Sequence, residues 1–277
     1  MNLKNVFLGL AFTMLIFSCS DDSSTTAEPA LDSNQAKTSI EIDDVTDEVS
    51  QIAENQIDIQ NKNMASTNDA PQSMLPPCAT VTVVVTGNTW TRTVDFGTVG
   101  CLMPNGNVLK GKIIIAKTVG ANPMTKTYSI TFDTFYINAR LIQGNKTIVR
   151  SLTTTAPIQP TTTMTMNISV TFGNGTTFTK TGTRTSKMIE GFNTPIWNDN
   201  VFEITGNWST TRPNYSQTTT VTSPLIHKMN CQFRRVQGVL TIVKNNNTAV
   251  IDFGNGTCDN QALLTINGNT STITLGN

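Results

Sequence analysis

Few side chains in this 277-residue sequence have the types and spacing that catalysis requires. A Ser-His-Asp hydrolase would have to use the one histidine, His227, and no Gly-x-Ser-x-Gly turn is present to hold a nucleophile. Glycoside hydrolysis needs two positioned carboxylates, and the best set here is Glu190, Asp199 and Glu203. We therefore predict that the protein is not an enzyme. A hydrolase that uses the acids near Glu190–Glu203 stays as the third hypothesis.

Kinase, zinc and calcium chemistry are each poorly supported by the sequence. The tripeptide Asp-Phe-Gly begins at Asp95 and at Asp252, but the glycine-rich loop and the His-Arg-Asp segment of protein kinases are missing. Free or metal-bound cysteines are the alternative to disulfides, but the sequence disfavours a zinc site because it has no Cys-x-x-Cys pair and only one histidine. Asp252, Asn255, Asp259 and Asn260 carry the oxygen ligands that calcium prefers, although turn residues explain them better. We predict no catalytic residue, no metal and no cofactor.

Four cysteines, Cys78, Cys101, Cys231 and Cys258, belong to a repeated pattern. In each copy a cysteine precedes two strand-like runs, then Asp-Phe-Gly, then a second cysteine six residues after the Asp. Four cysteines allow three pairings, and matched motifs should close matched loops. We predict the disulfides Cys78–Cys101 and Cys231–Cys258, which an exported protein can form.

The segment 193–200 is a polar loop with an indole in it, which suggests binding rather than catalysis. Trp197 is a candidate stacking face for a sugar ring, and Asn198 and Asp199 could bond its hydroxyl groups. The alternative is that Trp197 plugs the end of the core. Basic residues such as Arg234 and Arg235 could face acidic glycans.

The C-terminal two hundred residues have the composition and periodicity of β-strands. In the whole chain about one residue in six is Thr, most of them after residue 76, and only 14% of residues are charged. Between Met164 and Phe172 apolar and polar residues alternate, which indicates a strand with one buried face. Asn-Gly pairs, the commonest short hairpin signal, occur four times. We predict an all-β domain over residues 77–277, an antiparallel sandwich or barrel-like meander of about 12–13 strands.

Charge is distributed unevenly along the chain. Residues 20–70 carry twelve acids and two bases, whereas residues 71–277 carry seven acids and sixteen bases. An asymmetry of this size indicates an interaction tail or a body that faces polyanions. The bases are dispersed among the strands without interleaved aromatic residues, so we predict no nucleic-acid partner.

The acidic segment also contains a weak helical pattern, at about residues 39–64. Val45, Val49, Ile52, Ala53 and Ile57 recur at spacings of three and four, with Ser39 or Thr46 as the cap. The interpretations left open are a helix docked on the basic body, a partly formed stalk, a partner-binding helix and a disordered linker. The Pro76-Pro77 pair marks the boundary to the β domain.

The N-terminus resembles the signal peptide of a bacterial lipoprotein. Lys4 supplies the positive start, and the twelve-residue, mostly apolar run Val6–Phe17 forms a signal core too short to span a bilayer. The segment Leu15–Cys19 resembles a lipobox, with Phe17 departing from its commonest form. The resemblance implies that residues 1–18 are removed, that Cys19 carries the lipid and that residues 19–76 form a tether. An ordinary cleaved signal with an incidental cysteine is the alternative.

The residues after this cysteine, Ser20, Asp21 and Asp22, resemble the surface-export signal of Bacteroidota lipoproteins. The resemblance implies a location in the outer membrane, facing outward, with a periplasm-facing lipoprotein as the fallback. Membrane attachment is then through the lipid.

Three segments of the body resemble a family of Bacteroidota surface lipoproteins of the flavobacterial type. They are Asp95–Cys101, Pro104–Ile115 and Asp252–Asn260. The resemblance implies no activity. The expected function is therefore a non-enzymatic, lipid-anchored, surface-exposed protein with an adhesive or glycan-binding role toward surface or extracellular polysaccharide. A structural component of the cell envelope is the alternative.

Overall fold

The computed structural model describes residues 31–64, 72–118, 125–154, 156, 158–192 and 194–276. The predicted signal peptide, lipidated Cys19 and the export residues Ser20, Asp21 and Asp22 lie outside these ranges. None of the helices described has both the length and the apolar composition needed to cross a bilayer.

The described residues form one long helix followed by fourteen strands. The helix, α1, spans Ser33–Met64. A short 3₁₀ helix, Trp197–Asp199, precedes the ninth strand. The strands are β1 Thr80–Thr86, β2 Thr89–Asp95, β3 Cys101–Leu102, β4 Val108–Thr118, β5 Lys126–Ile137, β6 Arg140–Leu152, β7 Pro160–Thr171, β8 Thr177–Glu190, β9 Val201–Arg212, β10 Tyr215–Lys228, β11 Arg235–Lys244, β12 Asn247–Asn255, β13 Gln261–Ile266 and β14 Asn269–Thr274.

The strands form one antiparallel meander in which almost every strand pairs with its neighbours in sequence. The short β3 lies off this path and pairs with β4. Within the described residues β1 pairs only with β2 and β14 only with β13, so the sheet stays open. The all-β antiparallel prediction is confirmed. The prediction left open a sandwich or a barrel-like meander. The structure has a meander, in one open sheet rather than the two packed sheets of a sandwich.

The concave face of this sheet holds α1 along its length. The helix residues Ile42–Ile57 pack in one core cluster with apolar side chains of β2 and β4–β8. The first turns, through Ala36 and Ile40, pack in a second cluster with side chains of β8–β14. Because both halves of the sheet contact one helix, the helix is a structural centre of the fold rather than a separate tether.

Glycines inside strands let the sheet bend around the helix. Gly144 in β6 has φ +99°, and a Cβ there would lie 2.1 Å from the carbonyl oxygen of Asn167 on β7. Gly182 in β8 has φ +154°, and a Cβ would lie 2.5 Å from the carbonyl oxygen of Asn207 on β9. Backbones that approach this closely leave no space for a side chain, which is a common role of strand glycines.

The helix begins earlier than the sequence pattern indicates. It starts at Ser33 rather than at about residue 39, and Asp32 caps it by accepting a hydrogen bond from the Gln35 backbone N–H at 2.8 Å. The predicted caps lie inside the helix, where the Ser39 hydroxyl donates to the Gln35 carbonyl oxygen. Thr46 likewise donates to the Asp43 carbonyl oxygen. The predicted apolar face, from Val45 to Ile57, is buried as expected.

Both predicted cysteine pairings are confirmed. The Cα atoms of Cys78 and Cys101 are 5.8 Å apart, and those of Cys231 and Cys258 are 5.4 Å apart. Each bridge links the residues next to a short meander of strands, which is the local closure that the repeated motif predicts.

Candidate binding cavity beside the buried helix

The carboxylates of α1 meet cations that project from the sheet. Lys180 on β8 lies 2.6 Å from the carboxylate of Asp43, and both side chains are almost fully buried. Arg235 on β11 reaches both Asp44 and Asp47 at 3.1 Å. The remaining pairs are Arg184 with Asp47, Arg150 with Asp58, Arg140 with Glu41 and, at 3.8 Å, Arg234 with Glu48.

These ion pairs account for much of the charge asymmetry of the sequence. The acidic segment and the basic body are the two sides of one intramolecular interface. The expectation of a free interaction tail or a polyanion-binding body is therefore not needed to explain these charges. Burial of these charges is tolerable because each one faces an opposite charge.

A cavity of about 700 Å³ opens between this helix and the rims of the sheet. It lies beside the helix segment 37–51, between the β5–β6 hairpin and the ends of β10, β11 and β14. Its volume is within the range of about 300–1,000 Å³ that is usual for ligand sites. The exposed side chains Lys37 and Gln232 are among its lining, so solvent reaches it. We call it the helix-side cavity.

The lining of the helix-side cavity contains buried polar atoms without hydrogen-bond partners among the described residues. They are Glu48 Oε1, Gln51 Oε1, Arg140 Nε, Arg235 Nε and both ring nitrogens of His227. More than half of the buried unpartnered side-chain atoms of the described chain belong to the residues of this one cavity. Each of these atoms exposes less than 1 Å² of surface, so they lie behind the wall of the cavity rather than on it.

His227 has the most unusual environment of these residues. Its side chain is 3% exposed near the end of β10. Burial lowers the pKa of the imidazole well below its usual value, and the positive charges of Arg184, Arg235 and Arg234 add to this effect. The ring is therefore neutral, with one N–H donor and one acceptor nitrogen. Neither nitrogen contacts a hydroxyl or carboxylate of the described residues, so the triad considered in the sequence analysis is not assembled.

Carboxylates on the helix side of the cavity are perturbed in the opposite direction. Burial raises the pKa of Asp44, and the nearby Arg235 partly offsets this effect. Burial also raises the pKa of Glu48, against the attraction of Arg234. The side chain of Asp44 nevertheless stays 46% exposed, and Asp44 is among the residues that line the cavity. It is thus a hydrogen-bond acceptor available to a ligand.

The predicted glycan contact is arranged differently from the sequence-based expectation. Trp197 is 3% exposed and packs in the second core cluster, with its ring centroid 6.0 Å from that of Phe202. The face of the indole is therefore not available for stacking on a sugar. Trp197 instead fills the end of the core, which was the alternative interpretation. Asn198 is exposed, and Asp199 accepts a hydrogen bond from the Thr194 hydroxyl at 2.9 Å. The exposed aromatic side chain beside this loop is Phe192, at 41%.

The candidate acids of the third hypothesis contact separate partners. Glu203 lies 3.3 Å from Lys187 on the neighbouring strand, with both side chains about one-third exposed. Glu190 is exposed at the end of β8, and none of the three acids lines the helix-side cavity.

The two Asp-Phe-Gly segments have the same structural role. Asp95 accepts a hydrogen bond from the Gly97 backbone N–H at 2.8 Å, and Asp252 accepts one from Gly254 at 2.9 Å. These carboxylates close turns, which is how short acidic side chains commonly stabilise the end of a strand.

Most residues of the cavity could not be identified from the sequence as a site. Arg234 and Arg235 were singled out as a basic pair, and both line the cavity. Glu48 and Gln51 lie one turn apart on α1 and carry no local signal, because they meet the distant Arg140 only when the sheet wraps the helix.

No protein-family model, curated protein or solved structure matches this chain.

Proposed function

We propose that this protein is a lipid-anchored, surface-exposed, non-enzymatic glycan-binding protein, and that the helix-side cavity is its binding site. The sequence supports the anchor through the lipobox-like segment that ends at Cys19 and the acidic residues that follow it. The fold supports a binding role, because a covalently bridged sheet around a buried helix is a rigid frame for a site.

The observation that best supports glycan binding is the chemistry of the side chains that line the cavity. Carboxylate, carboxamide and guanidinium groups are the planar side chains that hydrogen-bond sugar hydroxyls in pairs, and all three line this cavity. The ring of Phe233 and the apolar side chains of Ile40 and Leu275 lie among them. A sugar presents hydroxyl groups at its rim and C–H groups on its faces, so this mixture suits it.

The glycan-binding proposal is tested on a glycan array with the full chain purified in detergent. Phe233→Ala removes the aromatic ring of the cavity and is expected to weaken binding at least tenfold. Phe192→Ala removes an exposed ring beside the Trp197 loop and is the matched control, expected to bind as the unmodified protein does. Loss of binding in Phe192→Ala alone would place the site at that loop. No bound glycan from a broad array would contradict the proposal.

The anchor is tested separately from the binding site. Cys19→Ala is expected to release the protein from the membrane fraction, because the thiol is the group that carries the lipid chains. Replacing Asp21 and Asp22 by Ala is expected to keep the protein in the membrane fraction but to protect it from protease added to intact cells. Unchanged fractionation of Cys19→Ala, or equal protease digestion of the double variant, would contradict these two expectations.

A further inference from the structure

We infer that the binding site extends beyond the helix-side cavity into a second groove, which holds an uncharged, hydroxyl-bearing stretch of the glycan chain. This inference rests on the proposed function and adds a second subsite to it. The groove has a volume of about 830 Å³, and we call it the carboxamide groove. Its lining comes from segments 72–77, 102–106, 197–198 and 229–232 and from Arg234.

The carboxamide groove adjoins the helix-side cavity. Four residues line both spaces, namely Asn105, Gly106, Gln232 and Arg234. A sugar chain long enough to pass this shared wall can therefore occupy both spaces at once. The second contact is then intramolecular, so a long ligand gains affinity over a short one while the first contact stays the same.

The carboxamide side chains of this groove are within reach of a ligand. Gln72, Asn198, Asn230 and Gln232 are all exposed to solvent. The side-chain amides of Gln72, Asn198 and Gln232 make no hydrogen bond to another residue that the structure describes. A carboxamide both donates and accepts, as a hydroxyl group does, so each of these side chains can bond sugar hydroxyls in either direction.

The described lining of the groove contains one charged side chain, that of Arg234. This guanidinium group is half-buried and lies 3.8 Å from the carboxylate of Glu48. Asn105 also donates to that carboxylate, at 2.6 Å. A charged sugar that gave up water here would meet no unpaired opposite charge, which makes its transfer costly, whereas a neutral hydroxyl group needs only a hydrogen-bond partner.

The groove also offers apolar surface that is open to solvent. Leu102 is 64% exposed, and Pro77 and Pro104 are exposed as well. The C–H groups on the faces of a sugar ring pack on such side chains. The mixture of amides and apolar side chains therefore matches the two kinds of surface that a neutral sugar presents.

The walls of the groove are fixed within the folded chain. The Cys78–Cys101 bridge joins the chain that follows segment 72–77 to the chain that precedes segment 102–106, and the Cys231–Cys258 bridge holds segment 229–232. The Gln72 backbone N–H donates to the Pro195 carbonyl oxygen at 2.9 Å, which ties segment 72–77 to the loop that carries Asn198. A pre-formed wall loses little conformational freedom when a ligand binds.

The experiment is calorimetric titration of the full chain in detergent with oligosaccharides of increasing length. The neutral probes are the trisaccharide and the hexasaccharide of the maltose, cellobiose and mannobiose series, and the charged probes are trigalacturonate and hexagalacturonate. In a neutral series that binds, we expect the hexasaccharide to bind about tenfold or more tightly than the trisaccharide, a difference of about 1.4 kcal/mol. We expect no such gain between the two galacturonates.

Two variants of the groove should remove the gain with length and keep the affinity for the trisaccharide. The first is the double variant Gln72→Ala, Asn198→Ala, and the second is Leu102→Asp, which alters another wall. The matched control is Gln143→Ala, Asn145→Ala, which removes two exposed carboxamides on β6 outside both spaces and should keep the gain. Phe233→Ala, in the helix-side cavity, should weaken the binding of both lengths.

The outcomes separate this inference from the proposed function. Equal affinity for the trisaccharide and the hexasaccharide would overturn the second subsite and leave the glycan-binding proposal in place. A gain with length that survives in both groove variants would have the same consequence. A larger gain between the galacturonates than in any neutral series would overturn the uncharged ligand class. Failure of every probe, together with an empty glycan array, would overturn both the inference and the proposed function.

Discussion

Asp43→Ala is expected to lower the free energy of unfolding by about 3–5 kcal/mol, the usual cost of leaving one partner of a buried ion pair without the other. Asp43 and Lys180 are both almost fully buried, with Nζ and Oδ1 2.6 Å apart. Lys180 also donates to the Thr46 hydroxyl at 2.9 Å and lies 4.4 Å from the centroid of the Trp208 ring. Without Asp43 these contacts do not neutralise the ammonium group.

A matched control is available on the same strand. Lys187 also lies on β8 and pairs with Glu203, but both side chains are about one-third exposed. Glu203→Ala is expected to cost less than about 1 kcal/mol, as exposed pairs do. The double variant Asp43→Leu, Lys180→Met should recover most of the stability that Asp43→Ala loses, because no unpaired charge remains.

Urea unfolding of the three variants at pH 7 measures these differences. If Asp43→Ala cost no more than Glu203→Ala, the ion pair would not be a buried element of the folded protein. Burial already lowers the pKa of Lys180 despite the attraction of Asp43. In Asp43→Ala we expect Lys180 to lose its proton more readily. The loss of unfolding free energy in this variant should therefore shrink as the pH rises.

Glu54→Gln is expected to stabilise the protein above pH 7 by about 3 kcal/mol and to change its stability little below pH 4.5. Burial raises the pKa of Glu54 to about 7, against the attraction of Arg150. Its value in the unfolded chain is about 4.5. Between these values the folded protein keeps a proton that the unfolded chain has lost, so stability falls as the pH rises through this window. Each pKa unit is worth about 1.36 kcal/mol.

The measurement is the difference in unfolding free energy between Glu54→Gln and the unmodified protein at pH 4.5, 5.5, 6.5 and 8. The difference should grow across this series and level off above pH 7. Glu203→Gln, at a carboxylate about one-third exposed, is the matched control for the substitution itself. Parallel curves for Glu54→Gln and the unmodified protein would show that Glu54 titrates in the folded state as it does in the unfolded chain.

The sequence by itself determined the features that depend on residues close together along the chain. The period-two pattern between Met164 and Phe172 determined which face of β7 is buried, because successive side chains of a strand point to opposite sides. The repeated cysteine motifs determined the two disulfides, since each closes a local loop. The apolar residues between Val45 and Ile57 determined the apolar face of the helix, because residues three and four apart lie on the same side of a helix.

Only the tertiary structure decided what the helix and the polar residues do. The buried pair of Asp43 and Lys180 joins residues 137 positions apart, and Arg235 meets Asp47 across 188 positions. Trp197 has the loop context of a contact residue yet lies in the core, where its ring packs beside that of Phe202.

The two groups of features differ because the interactions behind them join residues at different separations along the chain. Periodicity and turn chemistry are properties of a few consecutive residues. Charge pairing and cavity formation depend on how fourteen strands curve around one helix, and no short segment encodes that curvature. The helix-side cavity therefore exists only in the assembled fold, where side chains of the helix meet side chains from distant rims of the sheet.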